Sequence, residues 1–147
     1  MSKIALLSFL LTFFSCNVFD AESEIDKKSP YLVPSSKVFT EVAVNNGEIA
    51  NKIEITLKNE EFAAATGEWL TSTGKALVSN LSAGLTARVI VISSTKVSFE
   101  IVGAAASHDP TNNVSNVSVE FFDSAFTSYR AWEVEDYYTF DFQIHYD

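Results

Sequence analysis

Apolar and polar residues alternate with a period of two along much of the chain after residue 37. In the stretch KIEITLK, Ile53, Ile55 and Leu57 point one way, and the charged or hydroxyl-bearing residues between them point the other. This alternation is typical of antiparallel strands that bury one face. The pattern occurs at 38–44, 53–57, 85–91, 97–101, 117–121 and 138–146, and a shorter strand is predicted at 75–80.

The pattern predicts an all-β domain, an antiparallel β-sandwich of about seven strands, with Phe99 and Phe142 in its core. One or two short helical turns are expected, at 63–65, which Gly67 would end, and within 123–132. The residues predicted to share one face are Val38, Thr40, Val42 and Val44 in the first strand, and Tyr138, Phe140, Phe142, Ile144 and Tyr146 in the last.

The N-terminal residues have the features of a secretory signal peptide, predicted at 1–15. Lys3 precedes an apolar run, Ile4 to Phe14, that is too short for a permanent membrane span. The one cysteine of the chain, Cys16, follows at the expected cleavage point. This placement resembles the lipobox of bacterial lipoproteins, in which the cysteine carries the lipid. The alternative is an ordinary signal peptide and a leftover free thiol, which is a liability in an oxidising compartment.

The lipobox resemblance implies a lipid anchor at Cys16 and a place in the bacterial cell envelope, at the outer membrane or cell surface. Residues 16–36 contain two prolines and four acidic residues without a periodic apolar pattern. This composition predicts a flexible tether between the lipidated cysteine and the domain. The β-sandwich domain is predicted to span residues 37–147.

The chain is acidic, with a formal net charge of −9 over 147 residues. Nucleic acids and anionic membrane surfaces attract basic proteins. The charge therefore argues against a nucleic-acid partner and against membrane binding by electrostatics, and leaves the lipid as the predicted link to the membrane.

Three stretches, VSNLSAGLTARV, GAAASH and NVSNVSVEFFDSAF, occur in this order. Together they resemble a repeat unit found in tandem in large bacterial secreted and cell-surface proteins, of which this chain has one copy. The resemblance covers most of 39–144 and implies an Ig-like β-sandwich module without enzymatic activity. The matching residues are Asn80, Ala83, Gly84, Leu85, Thr86, Ala87, Gly103, His108, Val114, Ser115, Asn116, Phe121, Asp123, Ser124, Ala125 and Phe126.

The stretch 103–126 contains His108, Asp109 and two Asn-Val-Ser tripeptides, which raise the question of a metal, glycan or catalytic site. No D-x-D-x-D-G run supplies calcium ligands, and two histidines without cysteine partners make a poor zinc set. No glycines flank a serine as in a nucleophile elbow. The Asn-x-Ser code is generally unused in bacteria. We therefore expect no metal, no cofactor and no catalytic residue, and interpret His108 as a polar side chain that ties two loops together.

Two functions of different class remain. The first is a surface-anchored adhesive or structural module that contacts a protein partner or other copies of itself. The second is a carbohydrate-binding module, because aromatic rings with nearby acids suit sugar faces. Burial of both tryptophans in the core would remove the basis of the second function. The candidate ligand contacts are Trp69, Tyr129, Trp132 and Tyr137, with Tyr138 beside them.

Cys16→Ser should release the protein from membranes, because the substitution removes the thiol that would carry the lipid. Two or more acyl chains are expected, since a single short chain binds membranes only marginally. The measurement is fractionation of cells expressing the full chain, with mass spectrometry of the mature N-terminus. Ser15→Ala keeps the thiol behind a small residue and should stay membrane-bound. An unmodified mature N-terminus at another residue would contradict the prediction.

Overall fold

The computed structural model describes residues 28–147, so the predicted signal peptide, Cys16 and the first part of the tether lie outside the described residues. This part of the chain is all-β, with eight strands and three single-turn 3-10 helices. None of its helices is long and apolar enough to cross a membrane. The strands are β1 (Tyr31–Pro34), β2 (Val38–Thr40), β3 (Ile53–Lys58), β4 (Ala76–Ser79), β5 (Leu85–Ser93), β6 (Lys96–Gly103), β7 (Val114–Phe121) and β8 (Tyr138–His145), and the 3-10 helices are η1 (Pro110–Asn112), η2 (Asp123–Ala125) and η3 (Ala131–Glu133).

The strands form two four-stranded sheets, in the orders β1-β3-β6-β5 and β2-β8-β7-β4. Neighbouring strands are antiparallel except β2 and β8, which are parallel. With β1 and β2 taken as two halves of the first strand, the sheets follow the strand order of an immunoglobulin constant domain. The prediction of an Ig-like β-sandwich is confirmed, with one strand more than expected.

The additional strand, β1, lies inside the predicted tether. Leu32 pairs with Leu57 of β3 and is buried. On the other side of β1, the Leu32 N–H donates to the Glu135 carbonyl oxygen at 3.1 Å. The prediction that residues 31–34 belong to a tether is therefore wrong. Four residues that end in a proline are too few to show a period of two, so the sequence pattern does not reveal this strand.

Phe99 of β6 joins the two sheets in the core. Its ring packs edge-on against Phe39 of β2 and Phe142 of β8, with ring centroids 5.0 and 5.2 Å away. All three side chains are fully buried. Aromatic pairs in this geometry stabilise a core beyond the area they bury. A second group of closely packed rings comprises Phe62, Phe121 and Phe126.

The predicted inward faces of β3, β5, β6 and β7 are confirmed by their burial. The predicted face of the first strand is wrong, because Phe39 points into the core while Thr40 is exposed. The parallel pairing of β2 aligns Phe39 with the buried Ile144. The strand ends after three residues, and Val44 beyond it is 75% exposed. Because only three residues of the run 38–44 pair in the sheet, the alternation of apolar residues in this run does not determine which side chains face the core.

A bulge interrupts the pairing of β7 with β8. Val117 pairs with Phe142, whereas Val119 pairs with Thr139. Between these pairs β8 has one residue more than β7. An extra residue reverses which alternate side chains face the core on the far side of the bulge.

The bulge decides the orientation of the aromatic residues of β8. Phe142, Ile144 and Tyr146 are buried, as predicted. Phe140 lies within the bulge and is 63% exposed, and Tyr138 lies beyond it and is 47% exposed. The prediction that these two residues share the inward face is therefore wrong.

The loop between β3 and β4 runs along the edge of β5. The Leu70 N–H donates to the Val89 carbonyl oxygen at 2.8 Å, which closes this sheet edge. No helical turn forms at 63–65, contrary to the prediction, because the Ala63 N–H bonds to the Ala125 carbonyl oxygen in another loop. The turn expected within 123–132 is confirmed as η2 and η3.

Phe99→Ala should lower the free energy of unfolding by about 3–5 kcal/mol, because it removes the ring between the two sheets and leaves a cavity. His145→Ala is the control, since His145 is exposed on β8, and should change this free energy by about 0.5 kcal/mol or less. Chemical denaturation of the full chain measures both. Equal sensitivity at the two positions would contradict the assigned core.

Candidate functional site

His108 joins separate segments at one end of the domain. Its Nδ1 lies 2.8 Å from Asn45 Oδ1 and 3.1 Å from Glu41 Oε1. The Glu41 side chain is fully buried, and its carboxylate also accepts hydrogen bonds from the backbone N–H groups of Gly47, at 2.5 Å, and Asp147, at 3.3 Å. The interpretation that His108 ties two loops together is confirmed. The His108 side chain has a structural role in the connection from β6 to β7.

Two glycines of the repeat-like motif allow close backbone packing. Gly84 and Gly103 have φ angles of +92° and +99° and lie next to each other at the β5–β6 pairing. A Cβ at Gly103 would collide with the Gly84 carbonyl oxygen, and one at Gly84 with the Ala104 carbonyl oxygen. These positions exclude any side chain, so the fold itself requires both glycines.

The polar residues of the β6–β7 connection also bond to the backbone. Asn112 Oδ1 accepts from the Asp109 N–H at 3.2 Å, and Asn113 Oδ1 accepts from the Tyr146 N–H at 2.8 Å. Within residues 28–147, no group of three or more His, Cys, Asp or Glu side chains could hold a metal ion. The β6–β7 connection is thus held by hydrogen bonds within itself and to the C-terminal end of the domain.

Trp132 and Tyr137 come together in one groove of about 530 Å³ beside the end of β7. Asp123 Oδ1 accepts from the Ala131 N–H at 2.8 Å and links the two turns that frame the groove, η2 and η3. Trp132 follows Ala131 and is 66% exposed. Glu120 also lines the groove. Two predicted ligand contacts therefore meet at a site that also holds carboxylates.

The other two predicted contacts lie elsewhere. Trp69 is bridged to β5 in the opposite sheet, and the Arg88 guanidinium lies 4.5 Å from its ring centroid. The neighbouring Glu68 contacts Lys75 at 2.9 Å, and this hydrogen bond lowers the pKa of Glu68. Tyr129 is half-buried and lines a separate depression. The structure does not unite Trp69, Tyr129 and Trp132 in one site.

The exposure of the two tryptophans keeps the carbohydrate alternative open. Trp132 is 66% exposed and Trp69 is 41% exposed, so neither ring is buried in the core. The Arg88 guanidinium already stacks on the Trp69 ring. Trp132 is therefore the better placed of the two for an external ligand.

The outer face of the second sheet extends the groove. Leu77 of β4 pairs with Glu120 of β7, and Glu120 pairs with Tyr138 of β8, so the three side chains form a row across the strands. The rings of Tyr138 and Phe140 lie 5.8 Å apart. Glu120 and Tyr137 line both the groove and a shallow depression over this row. We call the continuous surface the aromatic face; it consists of Leu77, Glu120, Trp132, Tyr137, Tyr138 and Phe140.

Sequence reasoning missed Leu77, Glu120 and Phe140 as members of a site. Leu77 is 50% exposed and Phe140 63% exposed, although both are apolar residues of strands. The aromatic and acidic run RAWEVEDYYTFDF was the available signal, because it combines rings and carboxylates at the end of the chain. The pattern alone does not show the bulge that turns Phe140 outward.

The segment that supplies five of the six residues of the aromatic face is acidic. The segment 120–141 contains six of the fifteen Asp and Glu residues in the described part of the chain, but only one of its eight Lys and Arg residues. The remainder of the described domain is close to balanced in charge. The excess negative charge of residues 28–147 is therefore concentrated in this segment, although one of its carboxylates, Asp141, pairs with Lys37 at 2.6 Å.

Comparisons with known proteins extend only to the fold. No protein-family model matches the chain, and no curated protein matches it significantly. A solved structure similar to this domain is the chitinase ChiW from Paenibacillus sp. str. FPU-7, a bacterial cell-surface-expressed multi-modular enzyme. The two share 14% sequence identity and a TM-score of 0.55 over 85% of this chain. The chain spans 14% of the length of that protein, so the similarity shows the fold of one β-rich part of it.

His108→Ala should lower the free energy of unfolding by about 0.5–1.5 kcal/mol, the range for a lost hydrogen bond. The cause is the loss of the contacts to Asn45 and Glu41. Thermal melts of the full chain with calcium, with zinc and with a chelator measure the effect, and His145→Ala is the control. The chelator should leave the melting temperature unchanged. A metal-dependent rise in the wild type that disappears in His108→Ala would contradict the structural role.

Proposed function

We propose that the chain is a non-catalytic interaction module, anchored through Cys16 at the bacterial cell surface, that binds a protein partner through the aromatic face. The observation that carries the proposal is the set of exposed apolar side chains on the outer face of the second sheet, Leu77, Tyr138 and Phe140, which is continuous with the Trp132 groove. Exposed apolar surfaces with a polar border are typical of interaction sites. Trp and Tyr are also enriched among the residues that dominate binding energy.

The position of the face on a sheet supports a binding role. Leu77, Glu120 and Tyr138 stand on three hydrogen-bonded strands, and the inner side of the same sheet packs through Phe142 onto Phe99. Side chains held on such a framework lose little further freedom when a partner binds. The rings are thus arranged before binding.

Two further observations support a non-catalytic module. Both histidines are engaged in protein contacts, His108 with Asn45 and Glu41, and His145 with Gln143 at 3.0 Å. In addition, the similar solved structure is a multi-modular cell-surface protein of which this fold forms only a small part. A small module within a surface protein is a context in which binding without catalysis is expected.

The second candidate function is carbohydrate binding. It rests on Trp132, whose ring is 66% exposed in a groove that also contains Tyr137, Glu120 and Asp123. An exposed ring offers a flat apolar surface, and the carboxylates can accept hydrogen bonds from hydroxyl groups.

The double variant Trp132→Ala/Phe140→Ser should reduce attachment of cells displaying the full chain to surfaces coated with envelope extract by about tenfold or more, the effect of losing interface hot spots. The control is Val44→Ser, which removes an apolar side chain that is 75% exposed on a different loop. Counts of attached cells under flow provide the measurement.

Pretreatment of the extract distinguishes the two candidate functions. Protease should abolish attachment if the partner is a protein. Periodate, which oxidises sugar diols, should abolish it if the partner is a glycan. Equal attachment by the double variant and by Val44→Ser would contradict a role of the aromatic face in either function.

A further inference from the structure

Glu120 occupies an unusual position at the centre of the aromatic face. Its side chain stands between Leu77 and Tyr138 in the row across β4, β7 and β8. The residue is half-buried. Within residues 28–147, no Lys, Arg or His nitrogen lies within 4.0 Å of its carboxylate. A partly desolvated charge between apolar neighbours is costly when it has no partner of opposite charge.

The corresponding carboxylate of the other sheet is compensated. Glu100 is also half-buried on the outer side of a central strand, β6. Its Oε1 accepts a hydrogen bond from Ser98 Oγ at 2.9 Å and lies 4.0 Å from Lys52 Nζ. Both outer faces thus carry a central glutamate, but among residues 28–147 the one on the aromatic face has no cation beside it.

The charge around Glu120 indicates the sign of its partner. Glu120 and Asp123 line the groove together, and the segment 120–141 carries six carboxylates and one basic residue; Lys37 pairs with one of these carboxylates, Asp141, at 2.6 Å. The remaining carboxylates give the face a negative potential. Such a potential attracts basic groups and repels a second copy of the same face. The occupant that complements both the charge and the exposed rings is therefore cationic.

We propose that the aromatic face binds a basic polypeptide segment, with one Lys or Arg side chain seated on Glu120. The aliphatic stem of that side chain would lie along Leu77 and Tyr138, and its charged group would meet the carboxylate. Neighbouring basic groups can stack on the exposed rings of Phe140 and Trp132. This inference rests on the proposed function and names the chemistry of its partner.

The test is an isothermal calorimetric titration of the full chain, in neutral detergent and near-physiological salt, with a hexa-arginine peptide. The measured quantity is the dissociation constant of the peptide. Glu120→Gln should weaken binding about tenfold, because a hydrogen-bonded charge pair is lost. Glu100→Gln makes the same change in net charge at the matched position of the other sheet, and it should stay within about twofold of the wild type. The melting temperature of Glu120→Gln should not fall, because the substitution removes an uncompensated charge.

Three results would overturn the proposal. Equal losses in the two variants would mean that hexa-arginine responds only to net charge. Absence of wild-type binding would mean that no basic segment is held. Binding of maltohexaose in place of hexa-arginine would favour the carbohydrate function.

The cell-attachment assay separates this inference from the proposed function. If Trp132→Ala/Phe140→Ser abolishes attachment to the envelope protein while Glu120→Gln retains it fully, the aromatic face remains the binding surface and the basic ligand is rejected. If neither variant affects attachment, the proposed function itself fails.

Discussion

The contact of Phe99 with Phe142 across the sandwich determines the rest of this structure. Phe142 must point inward to reach Phe99, at a centroid distance of 5.2 Å, and this fixes the orientation of β8 at that residue. The bulge between Phe142 and Thr139 then reverses the alternation towards the start of the strand. Tyr138 and Phe140 consequently face outward, although a regular strand would bury both. One aromatic contact and one extra residue thus separate the core of the domain from its aromatic face.

This arrangement leaves apolar side chains exposed, and it leaves one carboxylate without a cationic partner among the described residues. Phe140 is 63% exposed, and Glu120 stands half-buried between Leu77 and Tyr138. By contrast, every fully buried side-chain nitrogen or oxygen in the described residues has a hydrogen-bond partner. Local departures of this kind from an otherwise satisfied structure are expected at functional sites, and they support the proposed binding role.

The fold was largely predictable from sequence, because strands with one buried face and one solvent-exposed face show a clear period of two in hydrophobicity. The inward faces around Ile55, Val89 and Val119 follow from this pattern. The two wrong assignments of a strand face have one common cause. Phe39 and Phe140 owe their orientation to pairing with a distant strand, in a parallel ladder for Phe39 and at a bulge for Phe140. Local alternation contains no information about such long-range register, so the aromatic face could be predicted only in part, through Trp132, Tyr137 and Tyr138.

Hydroxyl-radical footprinting of the full chain, with residue-level mass spectrometry, tests the central claim most directly. The method oxidises aromatic side chains in proportion to their solvent exposure. The structure predicts rapid oxidation of Phe140, Tyr138 and Trp132, and protection of Phe142 only two residues from Phe140. Equal protection of Phe140 and Phe142 would show that β8 has no bulge and that the aromatic face does not exist.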